Sequence, residues 1–313
     1  MAEFLNAVSA VFVIFLIMMV GYLLGHLGWL TPSEKRFLSQ YVVNIAVPVN
    51  CIVSLLDHFR REELMGAGVM LLASACVAAL TLLLSAGAAA LLKLPRNRWG
   101  VFVAMAGLPN TLFIGMPMIT QLFGEVGLPY MMTYYLATSC FTQTAGVILV
   151  ERAGAKESGS HDPLTMLADL LKKPPVVGVI AAVIMLVLDL RLPAVLMKAA
   201  GYISNTVTPL ALIYCGFILY EVGLKNLRLL PGLPWMLLIR LILSPVICLG
   251  ICMLFGITGL NRSVFIVMAA LPVVTQVTVM AGAYGADEEY AATGASLSML
   301  GIFITIPVLM IFL

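Results

Sequence analysis

The chain has 313 residues, of which 62% are hydrophobic and 10% charged, and its formal net charge is +2. Soluble domains carry roughly 25% charged residues, so this chain cannot cover a water-facing surface of its size and a soluble enzyme is excluded. The near-neutral balance offers no basic face for nucleic acid, and the six cysteines all lie inside apolar stretches, where a free thiol packs as a small hydrophobe.

A membrane-crossing helix needs ~20 apolar residues. Ten such stretches are read in chain order, at 4–25, 38–56, 65–92, 100–122, 128–150, 175–190, 198–222, 233–255, 263–284 and 290–313. The chain opens Met-Ala-Glu without a basic segment, and its first apolar run is long enough to span, so this run reads as a helix and not as a cleaved leader. The separators are short and hold most of the charge. The longest, 151–174, contains Asp162-Pro163, an N-cap and first-turn pair. Leu-Thr-Met-Leu-Ala-Asp-Leu-Leu-Lys-Lys follows, which reads as a short amphipathic helix on the membrane surface or as a plain linker helix. With loops numbered from an external N-terminus, the odd loops hold 11 Lys and Arg residues and the even loops 5, with Arg240 inside a span. The positive-inside rule then puts both termini outside and 151–174 in the cytoplasm.

The chain repeats itself. Val101-Phe-Val-Ala-Met-Ala-Gly-Leu-Pro109 matches Val264-Phe-Ile-Val-Met-Ala-Ala-Leu-Pro272 at six of nine positions, offset by 163. Asn44-Ile-Ala-Val-Pro48 matches Asn205-Thr-Val-Thr-Pro209, offset by 161. Near-equal offsets indicate duplication, with 1–150 and 175–313 as the two halves. Five spans is an odd number, so the second half enters from the opposite side, as in many secondary transporters. The expected architecture is all-α and integral to the membrane: ten helices in two inverted repeats.

Pro48, Pro109, Pro209 and Pro272 fall mid-span at matching places. A mid-helix proline removes a hydrogen bond and clashes with the preceding turn. In lipid this is tolerated where the freed groups are buried in protein or face a cavity. Gly107, Pro109, Gly115 and Pro117 predict a discontinuous helix in span four. The run Pro272-Val-Val-Thr-Gln276 permits either a gap or a kink in span nine. Two broken helices present half-helix N-termini that suit a carboxylate. Asn110, Thr111, Thr275 and Gln276 are the candidate side-chain ligands, with Asn50 and Ser54 beyond Pro48 as further candidates. The plainer reading of these residues is bonding between helices. Asn44 and Asn205, one turn before their prolines, are expected to serve the stranded carbonyls. Arg240, about seven residues into span eight, is expected to snorkel to the boundary, with a gate or a countercharge as the alternative.

The stretch Pro109-Asn-Thr-Leu-Phe-Ile-Gly-Met-Pro-Met-Ile-Thr-Gln-Leu-Phe-Gly-Glu-Val-Gly-Leu-Pro129, with Ala270-Leu-Pro272 and Ala283-Tyr-Gly-Ala-Asp-Glu-Glu-Tyr-Ala-Ala-Thr293, resembles the auxin efflux carrier family and its bacterial organic-acid permeases. The resemblance implies a permease in the plasma membrane, which in a bacterium is the inner one. It implies small organic-acid anions as substrates, with malate and malonate recurring. It further implies crossed spans four and nine, with Pro109, Asn110 and Pro272 at the crossover. A homodimer would be paired by a scaffold domain, against which a transport domain moves like an elevator. Bacterial members often carry a Pro-Pro-Ala-Val-Asn-like run where this chain has Pro272-Val-Val-Thr275, and the long loop of many plant members is absent; both weaken auxin as the substrate. A sensor or channel on the same scaffold is the alternative function. An embedded enzyme would need clustered His, Asp or Glu at membrane depth. The sequence shows no such cluster and no His-x-x-x-His or Gly-x-Ser-x-Gly motif, and no cofactor is expected. No Asp or Glu lies within three turns of Pro109 or Pro272, so no proton-accepting carboxylate is expected at the crossing.

Overall fold

The computed structural model describes residues 2–58, 68–111, 114–154, 172, 174–222 and 229–313. The amphipathic helix expected within 151–174 lies outside the described residues. Among the described residues the elements are helical, apart from one isolated bridge. Helix occupies part of every expected apolar stretch, and four helices are long and apolar enough to cross a membrane by length and composition: Pro32–Asp57, Gly68–Leu91, Leu233–Leu254 and Glu288–Phe312.

The first half comprises α1 (Ala2–His26), α2 (Pro32–Tyr41), α3 (Val47–His58), α4 (Gly68–Leu91), α5 (Arg96–Gly107), α6 (Gly115–Phe123), α7 (Leu128–Phe141) and α8 (Val147–Gly154). The second comprises α9 (Pro174–Val187), α10 (Ala194–Ser204), α11 (Val207–Val222), α12 (Leu233–Leu238), α13 (Ser244–Leu254), α14 (Gly259–Ala269), α15 (Gln276–Tyr284) and α16 (Glu288–Phe312). Wider π-helical turns join α2 to α3 (Val42–Ala46), α7 to α8 (Thr142–Gly146) and α12 to α13 (Ile239–Leu243).

The prolines act in three ways. Pro48 does not break its helix. A proline there leaves the carbonyl four residues earlier without its partner, and the chain answers by widening the preceding turn, so that the Val47 N–H donates to the Val42 carbonyl. Pro245 is handled in the same way, with the Ser244 N–H donating to the Ile239 carbonyl. Pro209 sits in the first turn of α11, after a break at 205–206, where a missing N–H costs little. Pro109 lies in a true gap between α5 and α6, non-helical at 108–111 and at 114, and Pro272 in one at 270–275. Of the two forms open for span nine, the gap is the one formed. Asn44 and Asn205, expected to serve the stranded carbonyls, both have exposed side chains; Asn44 lies in the wide turn before Pro48 and Asn205 at the helix end before Pro209.

Packing divides the helices into two groups. In one, α1 lies along α11 while α9 and α10 lie along α3. The contact of α1 with α11 is close enough that a Cβ on Gly21 would meet the Ile213 carbonyl, and one on Gly216 the Met18 carbonyl; only glycine allows this approach. In the other group α4 packs on α5 and α7, α13 on α14 and α4, and α16 on α5 and α15. Contacts also fix which helix ends share a side. Lys35 pairs with Glu221 and Glu288 at 2.9 and 2.6 Å, and Arg98 with Asp287 at 2.7 Å. The Tyr290 hydroxyl donates to the Pro231 carbonyl, and Gly154 abuts Tyr284. The ends numbered as odd loops therefore meet at one pole. At the opposite pole, Arg191 donates to the Leu56 carbonyl at 2.7 Å.

Candidate functional site

The two gaps cross. Extended backbone at Pro109 pairs antiparallel with Val273. The Asn110 N–H donates to the Pro272 carbonyl at 2.8 Å and the Val274 N–H to the Leu108 carbonyl at 3.2 Å. Helix breaks in an apolar interior strand polar backbone groups, and pairing one gap with the other satisfies them. The Val273 N–H is taken up by Ser298 Oγ at 3.1 Å.

Beside the crossing lies a cavity lined by Asn50, Pro109, Asn110, Thr111, Tyr135, Ser139, Thr142, Gln143, Val274 and Gln276. Its empty space is about 340 Å³, but it is narrow, with about 30 Å³ wide enough for the centre of a water molecule. Asn50 comes from the first helix group, and the other lining residues come from the second. A ligand held here would touch both. Among the described residues the lining has no Asp or Glu.

Of the candidate residues, the structure brings Asn50, Pro109, Asn110, Thr111 and Gln276 to this cavity. The Asn110 side chain is 2% exposed and has no hydrogen-bond partner among the described residues. Thr111 and Thr138 share a hydrogen bond of 3.2 Å. Gln276, the first residue of α15, accepts from Gln143 Nε2 at 3.0 Å, so one half-helix N-terminus reaches the cavity. The other, at Gly115, packs against Met268 and Leu271. Ser54, Pro272 and Thr275 are not in the lining. Ser54 and Ser204 both donate to Asn50 Oδ1, at 3.2 and 2.7 Å, which orients that amide. Pro272 contributes its carbonyl to the crossing. Thr275 Oγ1 is buried without a partner among the described residues, as is Gln143 Oε1.

Sequence reasoning missed Tyr135, Ser139, Thr142 and Gln143. The run Thr138-Ser-Cys-Phe-Thr-Gln-Thr144, polar in the middle of span five, was the available signal. The wide turn at Thr142–Gly146 covers Gln143. Tyr135 and Ser139 stand together in the lining of the cavity.

Arg240 corrects its main expectation. Its side chain does not snorkel: the residue is 1% exposed, and its guanidinium donates to the Ala106 carbonyl at 3.2 Å, to the Ala269 carbonyl and to Ser244 Oγ.

A wider space of about 890 Å³ opens at the charged pole beside Lys35, Arg36, Tyr214 and Glu288. The narrow cavity is the better candidate site, because its polar lining is buried among apolar helices and, among the described residues, Gln143 Oε1 has no partner there; in an apolar interior such a group must serve a purpose or cost several kcal/mol.

Helical apolar spans, paired gaps and a polar cavity between two helix groups define a membrane transport protein. Residues 6–310 match the family described as membrane transport protein, so the chain belongs to that family, which takes in the auxin efflux carriers. It is 25% identical over 298 residues to an uncharacterized transporter of Methanocaldococcus jannaschii, covering 91% of this chain and 92% of that one. It is 25% identical over 315 residues to an uncharacterized transporter of Methanothermobacter thermautotrophicus, covering 97% of each. To the uncharacterized transporter YfdV of Escherichia coli K12 it is 20% identical over 298 residues, covering 94% and 93%.

Proposed function

We propose that this protein is a secondary carrier for a small organic anion, a mono- or dicarboxylate such as malate or malonate. The observation that carries this reading is the crossing of two proline-broken helices beside a cavity lined by neutral amides and hydroxyls and free of carboxylates. Such a lining attracts an anion through N–H and O–H donors while presenting no fixed negative charge to repel it. Asn110 and Gln276 bind the carboxylate, and Asn50 closes the site from the other helix group. Thr111, Thr275 and Ser54 complete the surrounding polar shell, with Pro109 and Pro272 holding the crossing open.

Movement follows from the two helix groups. The group carrying the crossing slides as a transport domain against the group containing α1, α3, α9 and α11, in an elevator-type alternating access. The narrow cavity then represents a closed stage, in which the anion enters as the groups separate. The exchange of partners, α1 on α11 and α9 on α3, is what two inverted halves at 1–150 and 175–313 would produce. The richer share of Lys and Arg at the pole of the odd loops supports a cytoplasmic location for that pole, with both termini outside and 151–174 inside. The protein works in the plasma membrane, the inner membrane of a bacterium, as a homodimer.

Uptake of radiolabelled malate and malonate by proteoliposomes tests the reading. Saturable uptake, inhibited by unlabelled acid and lost in Asn110→Ala, is the expected result. Non-saturating flux would indicate a channel, and absence of any carboxylate uptake across a panel of acids would overturn the substrate class.

A further inference from the structure

Arg240 stands apart from the other charges among the described residues. It is carried on the wide turn before Pro245, in the middle of a helix that is long and apolar enough to span. Among the described residues none of the ion pairs includes it, and its Nε has no partner. A charge buried without a counter-ion is costly, and in a membrane span it marks function.

Its partners show what it acts on. Ala106 and Ala269 are equivalent positions of the two repeats, since 269 − 106 = 163, the offset of the matching segments. Both carbonyls lie in the last turn of a half-helix, α5 and α14, and both lose the acceptor role that a continuous helix would give them. The N–H four residues on is spent elsewhere: that of Asn110 on Pro272, and that of Val273 on Ser298. One guanidinium thus clamps the C-terminal ends of both broken helices.

The electrostatic consequence concerns sign. A helix end carries about half an elementary charge, positive at the N-terminus and negative at the C-terminus. The crossing gathers two of each, so without a further charge it is balanced and favours neither anions nor cations. We infer that Arg240 sets the charge preference of the crossing: by neutralising both C-terminal ends it leaves the helix N-terminus at Gln276 and the amide donors unopposed, so that the site accepts a carboxylate group as the counter-ion of a fixed cation. Arg240 lies outside the cavity lining and acts through the helix ends, as a positioning residue. The inference deepens the carrier reading and rests on it for the identity of the anion.

The test reads the sign of the potential without needing the natural substrate. In a chain with its native cysteines replaced, Asn110→Cys places a thiol at the crossing. Its rates of reaction with a sulfonate-bearing and a trimethylammonium-bearing methanethiosulfonate are then compared. With arginine at 240 the sulfonate should be favoured. Arg240→Gln should lower the sulfonate-to-ammonium rate ratio by at least about tenfold, and Arg240→Lys should restore it. Ser244→Asp should lower the ratio similarly, because it neutralises the guanidinium while leaving the clamp in place; this variant serves if Arg240→Gln does not fold. A purely structural clamp would change both rates together and leave the ratio unmoved, which would overturn the inference. So would a thiol that neither reagent reaches, since an anion could not reach it either. Malonate uptake by the cysteine-intact protein is measured in parallel. A changed rate ratio without uptake would retain the electrostatic role and reject only the carboxylate substrate.

Discussion

The crossing and the charged pole handle polarity in opposite ways. At the pole Lys35, Glu221, Glu288, Arg98 and Asp287 form ion pairs whose side chains keep 13–32% of their exposure, so water shares the cost of each charge. At the crossing there is no such relief. The groups are neutral amides, hydroxyls and backbone, nine-tenths or more buried, together with one guanidinium spent on carbonyls. Ion pairs at a wet surface contribute little because screening and side-chain entropy offset the attraction. A hydrogen bond at membrane depth matters more, because its loss leaves a group with no alternative partner. The pole can therefore tolerate change, and the crossing cannot.

Four measurements would break or sharpen that contrast. The largest effect is expected from Asn110→Ala, which removes a buried amide from the cavity. Loss of a hydrogen bond to a charged ligand costs about 1.5–3 kcal/mol, so carboxylate affinity should fall about tenfold to a hundredfold while the protein stays folded. Unchanged binding and transport would move the site elsewhere. Next comes Ser298→Ala. It strands the Val273 N–H at the crossing, and a fall in stability of about 1–3 kcal/mol should appear as a lower melting temperature in detergent. A melting temperature equal to that of the parent would show that the gap satisfies itself by other means.

Lys35→Ala should matter less. It deletes two ion pairs at the pole, Glu221 and Glu288 both losing their lysine. The stability change should be under about 1 kcal/mol and should shrink further as salt is raised, because screening already weakens the pairs in the parent. A large, salt-insensitive loss would mean that the pole is as demanding as the crossing. The smallest effect, none, is expected on replacing sodium with choline during uptake. The cavity lining offers no carboxylate to hold a cation or release a proton, so transport should respond to membrane potential when the substrate is a net anion. Electroneutral uptake that depends strictly on sodium at zero potential would contradict this.

Several features of the site were legible in the sequence because covalent chemistry dictates them locally. Pro109 cannot donate a hydrogen bond in any surroundings, and its neighbours Gly107 and Gly115 made the break in span four readable. The repeat located the corresponding break at Pro272. Pro48 shows where that reasoning ends: the same residue in the same kind of span produced no gap, because a wide turn one step earlier absorbed the lost bond. The sequence did not signal that choice, since one proline is chemically like another; in the fold this helix packs along α9. Gly178 lies so close to Pro48 that a Cβ would meet its backbone.

The sequence by itself determined the membrane class, the apolar stretches, the two pairs of matching segments and the residues that break helices. Each follows from composition, periodicity or the chemistry of proline, and none needs a neighbour. Only the tertiary structure decided which polar groups meet. The crossing of the two gaps joins Pro109 to Val273 and Asn110 to Pro272, residues far apart along the chain, and the cavity takes Asn50 from one helix group and Gln143 from another. Arg240 shows the difference most plainly. Read along the chain it was a long side chain near a boundary, for which snorkelling sufficed. In the fold it turns inward, because two half-helix ends present carbonyls that only the crossing could bring within reach of one guanidinium.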